Sequence, residues 1–202
     1  MQLYEAANKY NSVVSELEKI KAEAKEIVEG GCLGEQSEQF IRFLHENPQI
    51  TRVLEIGFNV GHSSAVFLSS NPEIKVISVD LGEHQYVYDA KKVIDKHFPD
   101  RHQLFIGDSR KLIPKLKGKV YPDFIFIDGG HLDDIPLKDI RNCLELANND
   151  TILCLDDTEF GWHDIRIALC MVLKSKEVQQ ESVVEKKDIT GKTWTYFKKT
   201  PQ

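Results

Sequence analysis

The 202-residue sequence has no apolar run near the roughly 20 residues of a membrane-spanning helix, and its polar, charged N-terminal residues carry no signal-peptide core. The expectation is a soluble, cytoplasmic protein with no membrane partner. Basic residues are not gathered either. The 26 Lys and Arg are outnumbered by 32 Asp and Glu, giving a net charge of -6, and they scatter apart from ordinary surface runs such as 115–119. A phosphate-backbone footprint needs a basic patch or stripe, so no nucleic-acid partner is expected. The four cysteines, Cys32, Cys143, Cys154 and Cys170, lie far apart without metal-ligand spacing, and three fall in apolar periodic segments. They read as reduced core thiols. Repeats and low-complexity segments are absent, and the length suits one domain with a sizeable core.

The Gly-x-Gly-x-x-Gly fingerprint of dinucleotide-binding loops is missing too. In its place stands Glu55-x-Gly57-x-x-x-Gly61-x-Ser63, directly after the bounded apolar run 52–56. That run reads as a strand buried on both faces. Glycines at 57 and 61 allow positive φ and let backbone N–H groups, including those of Phe58 and Asn59, approach a ligand at a helix N-terminus.

From there strands and helices alternate, the pattern of a doubly wound parallel α/β sheet. Strands are expected at 52–56, 75–80, 103–106, 122–127 and 151–155, and helices at 61–69, 85–97, 109–116, 135–147 and 162–174. A closing hairpin is expected from 178–184 and 192–198 around Gly191. Ahead of the sheet, Leu3, Ala6, Tyr10, Val13, Leu17, Ile20, Ala24 and Ile27 recur at spacings of three and four. They predict a helix over residues 1–29, with Asn11-Ser12 as the place for a break or a second start and a stop at Gly30-Gly31. A second helix is expected at 35–45. The narrow apolar seam of the first helix reads either as packing on its own domain or as a homodimer contact; the expectation is a homodimer. Residues 1–34 are thus set apart as a helical segment, lid or dimer contact, from a domain at 35–202.

Acidic residues close the strands: Asp80, Asp108, Asp128 and the Asp156-Asp157 pair. Ligands of open α/β sheets bind beyond the carboxyl ends of the strands, so these side chains are expected to converge on one crevice. A carboxylate at Asp80 can accept from both hydroxyls of a ribose. Asp108-Ser109 also suits the N-cap of the short helix that comes after it. Asp128, Asp156 and Asp157 offer hard oxygen ligands for Mg²⁺ or Mn²⁺, the alternative being a helix cap without metal. His131, three residues past Asp128 in a Gly-Gly loop, titrates near working pH and is a candidate base.

The glycine motif resembles the first motif of class I S-adenosylmethionine (SAM) methyltransferases. The resemblance covers about residues 35–198 and implies a seven-stranded sheet of five parallel strands plus the C-terminal hairpin. It also implies SAM bound by Glu55, Gly57, Phe58, Asn59, Gly61 and Ser63, its ribose on Asp80 and its adenine amine on Asp108 beside Ser109, with Asp128 at the same pocket. Phe124-Ile-Phe-Ile-Asp-Gly-Gly-His131 with Asp156-Asp157 resembles the divalent-metal-dependent O-methyltransferases. Asp-Asp, where catechol-type members have Asp-Asn, favours the branch with macrolide-sugar methyltransferases and cephalosporin-hydroxylase-like proteins. This second resemblance implies a metal-dependent O-methyltransferase with Asp128, Asp156 and Asp157 on the ion and His131 as base. Its acceptor would be a small-molecule or glycan hydroxyl beside a second oxygen, with Trp162 and His163 flanking it. Two rival readings are a metal-independent methyltransferase and a SAM-binding module without catalysis.

Overall fold

The computed structural model describes residues 2–24, 28, 31–159 and 161–201. In chain order these form α1 (Leu3–Glu23), α2 (Gly34–Glu46), β1 (Arg52–Ile56), α3 (His62–Ser70), β2 (Lys75–Asp80) and α4 (Gln85–His97). Then come β3 (His102–Ile106), α5 (Ser109–Leu116), β4 (Phe124–Ile127), α6 (Ile135–Leu146), β5 (Ile152–Leu155), α7 (His163–Lys174), β6 (Val184–Lys187) and β7 (Thr193–Lys198). The sheet order is β3-β2-β1-β4-β5-β7-β6, with β1 to β5 parallel and β7 antiparallel to both β5 and β6. This is the doubly wound, seven-stranded methyltransferase sheet.

Side chains of a strand alternate between faces, so each central strand feeds two cores. Val53, Phe124, Phe126 and Cys154 join the layer made with α1 to α4, whereas Leu54, Ile56, Ile125, Ile127, Leu153 and Leu155 join the layer of α6 and α7. Phe40 of α2 anchors the first layer, in edge contact with Phe67 and Phe126. Strands apolar on both faces are what helices on both sides require.

Three expectations are corrected. Helix α1 runs unbroken through Asn11-Ser12 and ends at Glu23; the expected stop at Gly30, and Ile27 of the seam, lie outside the described residues. Between Ala6 and Leu17 its seam faces inward, while Leu3 is exposed. Ala6, Tyr10, Val13 and Leu17 are buried in the layer with α3 and α4, and the Tyr10 hydroxyl donates to the Cys32 carbonyl at 2.5 Å. Glu16 adds a clamp to Lys96 (2.8 Å) and His97 (2.7 Å). From Ala6 to Leu17 the apolar stripe that predicted a dimer is therefore covered within the chain, and α1 and α2 share the core of the sheet's first layer. Finally, the first arm of the hairpin lies at 184–187, not 178–184. Val178 makes one isolated bridge to Lys199, and the turn at Gln180–Ser182, whose Ser182 Oγ accepts from Lys198 N (2.8 Å), delays regular pairing.

Candidate active site

Chain order reverses between β1 and β4, so their carboxyl ends splay apart and leave a crevice. A cavity of about 450 Å³ opens there, lined by the loops after β1, β2, β3 and β4. Such a volume suits a nucleoside-sized ligand. Gly57 (φ +88°) and Gly61 (φ +80°) both hold the left-handed backbone that favours glycine, and Asn59 between them has φ 50°. Gly61 caps α3 from outside the cavity lining, whereas Gly57, Phe58, Asn59 and Ser63 reach the cavity.

Glu55 does not reach it. Fully buried beneath the loop, it accepts from Ser63 Oγ (2.5 Å) and Ser64 Oγ (2.6 Å) and from Ser78 Oγ, whose hydroxyl also meets His102 Nε2 at 2.9 Å. Direct cofactor contact by Glu55 is thus corrected to a supporting role. The residue points back from the strand into the α3 layer, where serines satisfy it. Burial pushes its pKa up to about 7 against the pull of these hydroxyls, and burial pushes His102 down to about 3.

Asp80 closes β2 and holds the loop it faces. Its Oδ2 accepts from Phe58 N (2.9 Å) and Asn59 N (3.0 Å) and its Oδ1 from Gly82 N (2.8 Å), while the carboxylate also lines the cavity. Asp108 caps α5 through Arg110 N (3.0 Å) and pairs with the Arg110 guanidinium, which holds its carboxyl below the usual range. Ser109 donates to the buried Asp139 at 2.7 Å. Asp108 and Ser109 both line the cavity, so capping α5 leaves them at its wall.

At the end of the cavity by β4 and β5, one donor atom each from Asp128, His131 and Asp157 lies within 4.8 Å of the others. His131 Nε2 stands 3.2 Å from Asp157 Oδ2 and 3.7 Å from Asp128 Oδ1. Asp157 has φ 53°, an unusual conformation for a residue with a side chain and one that collects at functional sites. Burial, and then the Asp128 charge, push its pKa up to about 6. Asp156 is the exception to the expected ligand set. Successive residues of an extended segment face opposite ways, and Asp156 turns into the core, 2% exposed, where Oδ1 accepts from Gln36 Nε2 (2.8 Å) and Oδ2 meets Lys192 Nζ (2.9 Å). His131 takes its place in the cluster.

A methyltransferase-domain family model matches residues 54–158, half of the chain. The chain belongs to the methyltransferase-domain family. No curated protein matches the sequence. Among solved structures the methyltransferase is similar to the O-methyltransferase TomG from Streptomyces achromogenes, bound to SAM, at 16% identity and TM-score 0.75, covering 93% of this chain and 89% of that one. An O-methyltransferase from Bacillus cereus with S-adenosylhomocysteine (SAH) gives 15%, 0.74, 93% and 91%, and the TDP-rhamnose 3'-O-methyltransferase CalS11 gives 16%, 0.63, 93% and 93%. At these identities the likeness establishes the shared fold.

Four residues of the methyltransferase site went unread in the sequence. Lys192 and Gln36 reach Asp156 from opposite ends of the chain. Asp139, buried under Gly129 and pushed by burial up to about 6, supports the Asp128–His131 loop: a β-carbon at Gly129 would lie 2.9 Å from its Oδ2. Glu18 of α1 meets His62 Nε2 at 2.9 Å and ties the first helix to the cofactor loop. None of them belongs to a motif the sequence offers, and only the fold brings each to its partner. Trp162, foreseen beside the acceptor, has its ring 4.4 Å from that of His131 and is partly exposed, while His163 starts α7 on the surface.

Proposed function

We propose that this methyltransferase transfers the methyl group of SAM to a hydroxyl beside a second oxygen, on a sugar, glycan or catechol-like acceptor, with Mg²⁺ or Mn²⁺ held by Asp128 and Asp157. The observation that carries the reading is the convergence of Asp128, His131 and Asp157 at the open end of a cavity whose other end has a glycine loop and Asp80. The donor set fits the ion: two carboxylates suit a hard cation, and one donor atom each of Asp128, His131 and Asp157 lies within 4.8 Å of the others. When bound, such an ion acts as a Lewis acid that makes an adjacent hydroxyl easier to deprotonate.

The chain's own residues do the rest. The loop 57–61, fixed by Asp80, and the Asp108-Ser109 turn bind the nucleoside and present the methyl toward β4. His131, whose ring stands 3.2 Å from Asp157, is the base that takes up the hydroxyl proton as the oxygen attacks the sulfonium methyl and SAH leaves. Trp162, against His131, offers an apolar face on which a sugar or arene ring can lie. The sugar preference draws on the fold shared with a TDP-rhamnose methyltransferase. A metal-independent transfer is the second reading, favoured by Lys192, a cation already paired with Asp156 and Asp157.

The test is a SAM turnover screen over sugars, glycosides and catechols, with and without Mg²⁺ or Mn²⁺. Turnover that needs the ion is expected. Activity that survives EDTA moves the second reading ahead, and no turnover with SAM still bound points to a non-catalytic module.

A further inference from the structure

Lys192 stands between the hairpin turn and β7, and its backbone is fixed on both sides. Its own N–H donates to Asp188 Oδ1 (3.0 Å), and the next N–H, of Thr193, donates to Glu159 Oε2 (3.0 Å). From this anchored start the side chain runs inward, about three-quarters buried, to place Nζ 2.9 Å from Asp156 Oδ2 and 3.4 Å from Asp157 Oδ1. A solvated surface lysine is not held this way. Burial works against its charge, yet Asp156, Asp128 and Asp157 together push its pKa above the usual lysine value, so it stays an ammonium.

The contacts divide the carboxylates. Asp156 has one oxygen on Gln36 and the other beside Lys192, and it lies outside the cluster that Asp128, His131 and Asp157 form. Asp157 gives one oxygen to Lys192 and turns the other toward His131, on the side of Asp128. Both the lysine and an ion at Asp128 and Asp157 would draw on the same Asp157 carboxylate, so each weakens the hold of the other.

We propose that Lys192 is a resident cation of the acidic site, which keeps Asp156 out of the ligand set and lowers the affinity of Asp128 and Asp157 for a divalent ion, so that the ion exchanges readily. This rests on the metal-dependent reading above. It makes Lys192 a positioning residue that acts on the ligands, not on the acceptor.

The experiment is calorimetric titration of Mn²⁺ into the full chain and into Lys192→Met, with no SAM or acceptor present. Because the variant leaves Asp156 unpaired, Asp156→Asn/Lys192→Met, which removes both charges of the buried pair, is titrated alongside. Tighter Mn²⁺ binding by about ten-fold or more in the folded variants is expected, as is a gain in melting temperature with Mn²⁺ larger than the wild type shows. Binding in the variants alone would support the proposal equally. Unchanged or weaker affinity overturns it while the metal reading stands, and no Mn²⁺ binding by any of the three proteins overturns both.

Discussion

Gly57 packs so closely on the main chain of Asp128 that a β-carbon at position 57 would sit 1.9 Å from the Asp128 carbonyl oxygen. The loop that receives the cofactor and the loop that carries the acidic site are thus one contact apart, each holding the other in place. Gly57→Ala meets both this clash and a φ of +88°. We expect a loss on the order of 3 kcal/mol in stability, with SAM affinity falling in step; thermal melts and calorimetry check it, and a variant with wild-type values in both would refute the coupling.

Asp80 holds Phe58 N and Asn59 N and lines the cavity, where the proposed function has it accept from the ribose hydroxyls. Asp80→Ala is expected to weaken SAM binding by about 2–5 kcal/mol, since acceptors for buried donors are lost at both. Isothermal titration decides, and unchanged SAM affinity, or a wild type that prefers NAD, would sink the cofactor assignment.

Whether His131 is base or ligand is a question of which constant moves. As a base, His131→Ala lowers kcat by about 10²- to 10⁴-fold and leaves Mn²⁺ affinity nearly unchanged, while Asp157→Ala removes ion-dependent turnover and spares SAM binding. A fall in Mn²⁺ affinity equal to the fall in kcat would make His131 a ligand instead.

The buried Glu55 gives the fold a pH dependence of definite sign. Its carboxyl is raised from 4.5 to about 7 in the folded state, so the folded chain holds the proton more tightly than the unfolded one. The stabilisation is complete below about pH 4.5 and is lost as pH rises through about 7, on the order of 3 kcal/mol in all. Asp139, raised to about 6, adds in the same direction. Burial lowers His102 to about 3 and His62 to about 4, which works the other way over this range. The Glu55 contribution is therefore read as a difference: Glu55→Gln should gain stability relative to the wild type as denaturant midpoints are followed from pH 5 to 7.5. A difference of opposite sign, or one that does not change with pH, would count against the assignment.

Leu17 is fully buried where α1 meets the rest of the chain. Leu17→Ala should cost about 2–5 kcal/mol, and the loss should not depend on protein concentration because the contact lies within one chain. A melting temperature that climbs with concentration, in wild type and less so in the variant, would restore the seam to a dimer interface.

The sequence by itself determined the order of strands and helices, because apolar runs bounded by turn residues leave few other options, and it located every strand-closing acid. It also determined the two special glycines, since φ near +80° behind a strand is hard to satisfy otherwise. The direction of side chains at the ends of those strands lay beyond it. Asp156 and Asp157 are adjacent and chemically alike, yet one is locked to Gln36 and Lys192 in the core and the other faces the cavity. That choice comes from the pleat of β5 and the left-handed turn after it. Lys192 and Glu55 make the same point in reverse. One looks like a hairpin surface residue and becomes buried because β7 inserts beside β5; the other looks like a cofactor ligand and is consumed by three serines under the loop. The apolar seam of α1 specified the helix but not its partner, because a stripe of buried surface is the same pattern whether its cover comes from the same chain or another. Only the tertiary structure shows α3 and α4 packed against it from Ala6 to Leu17.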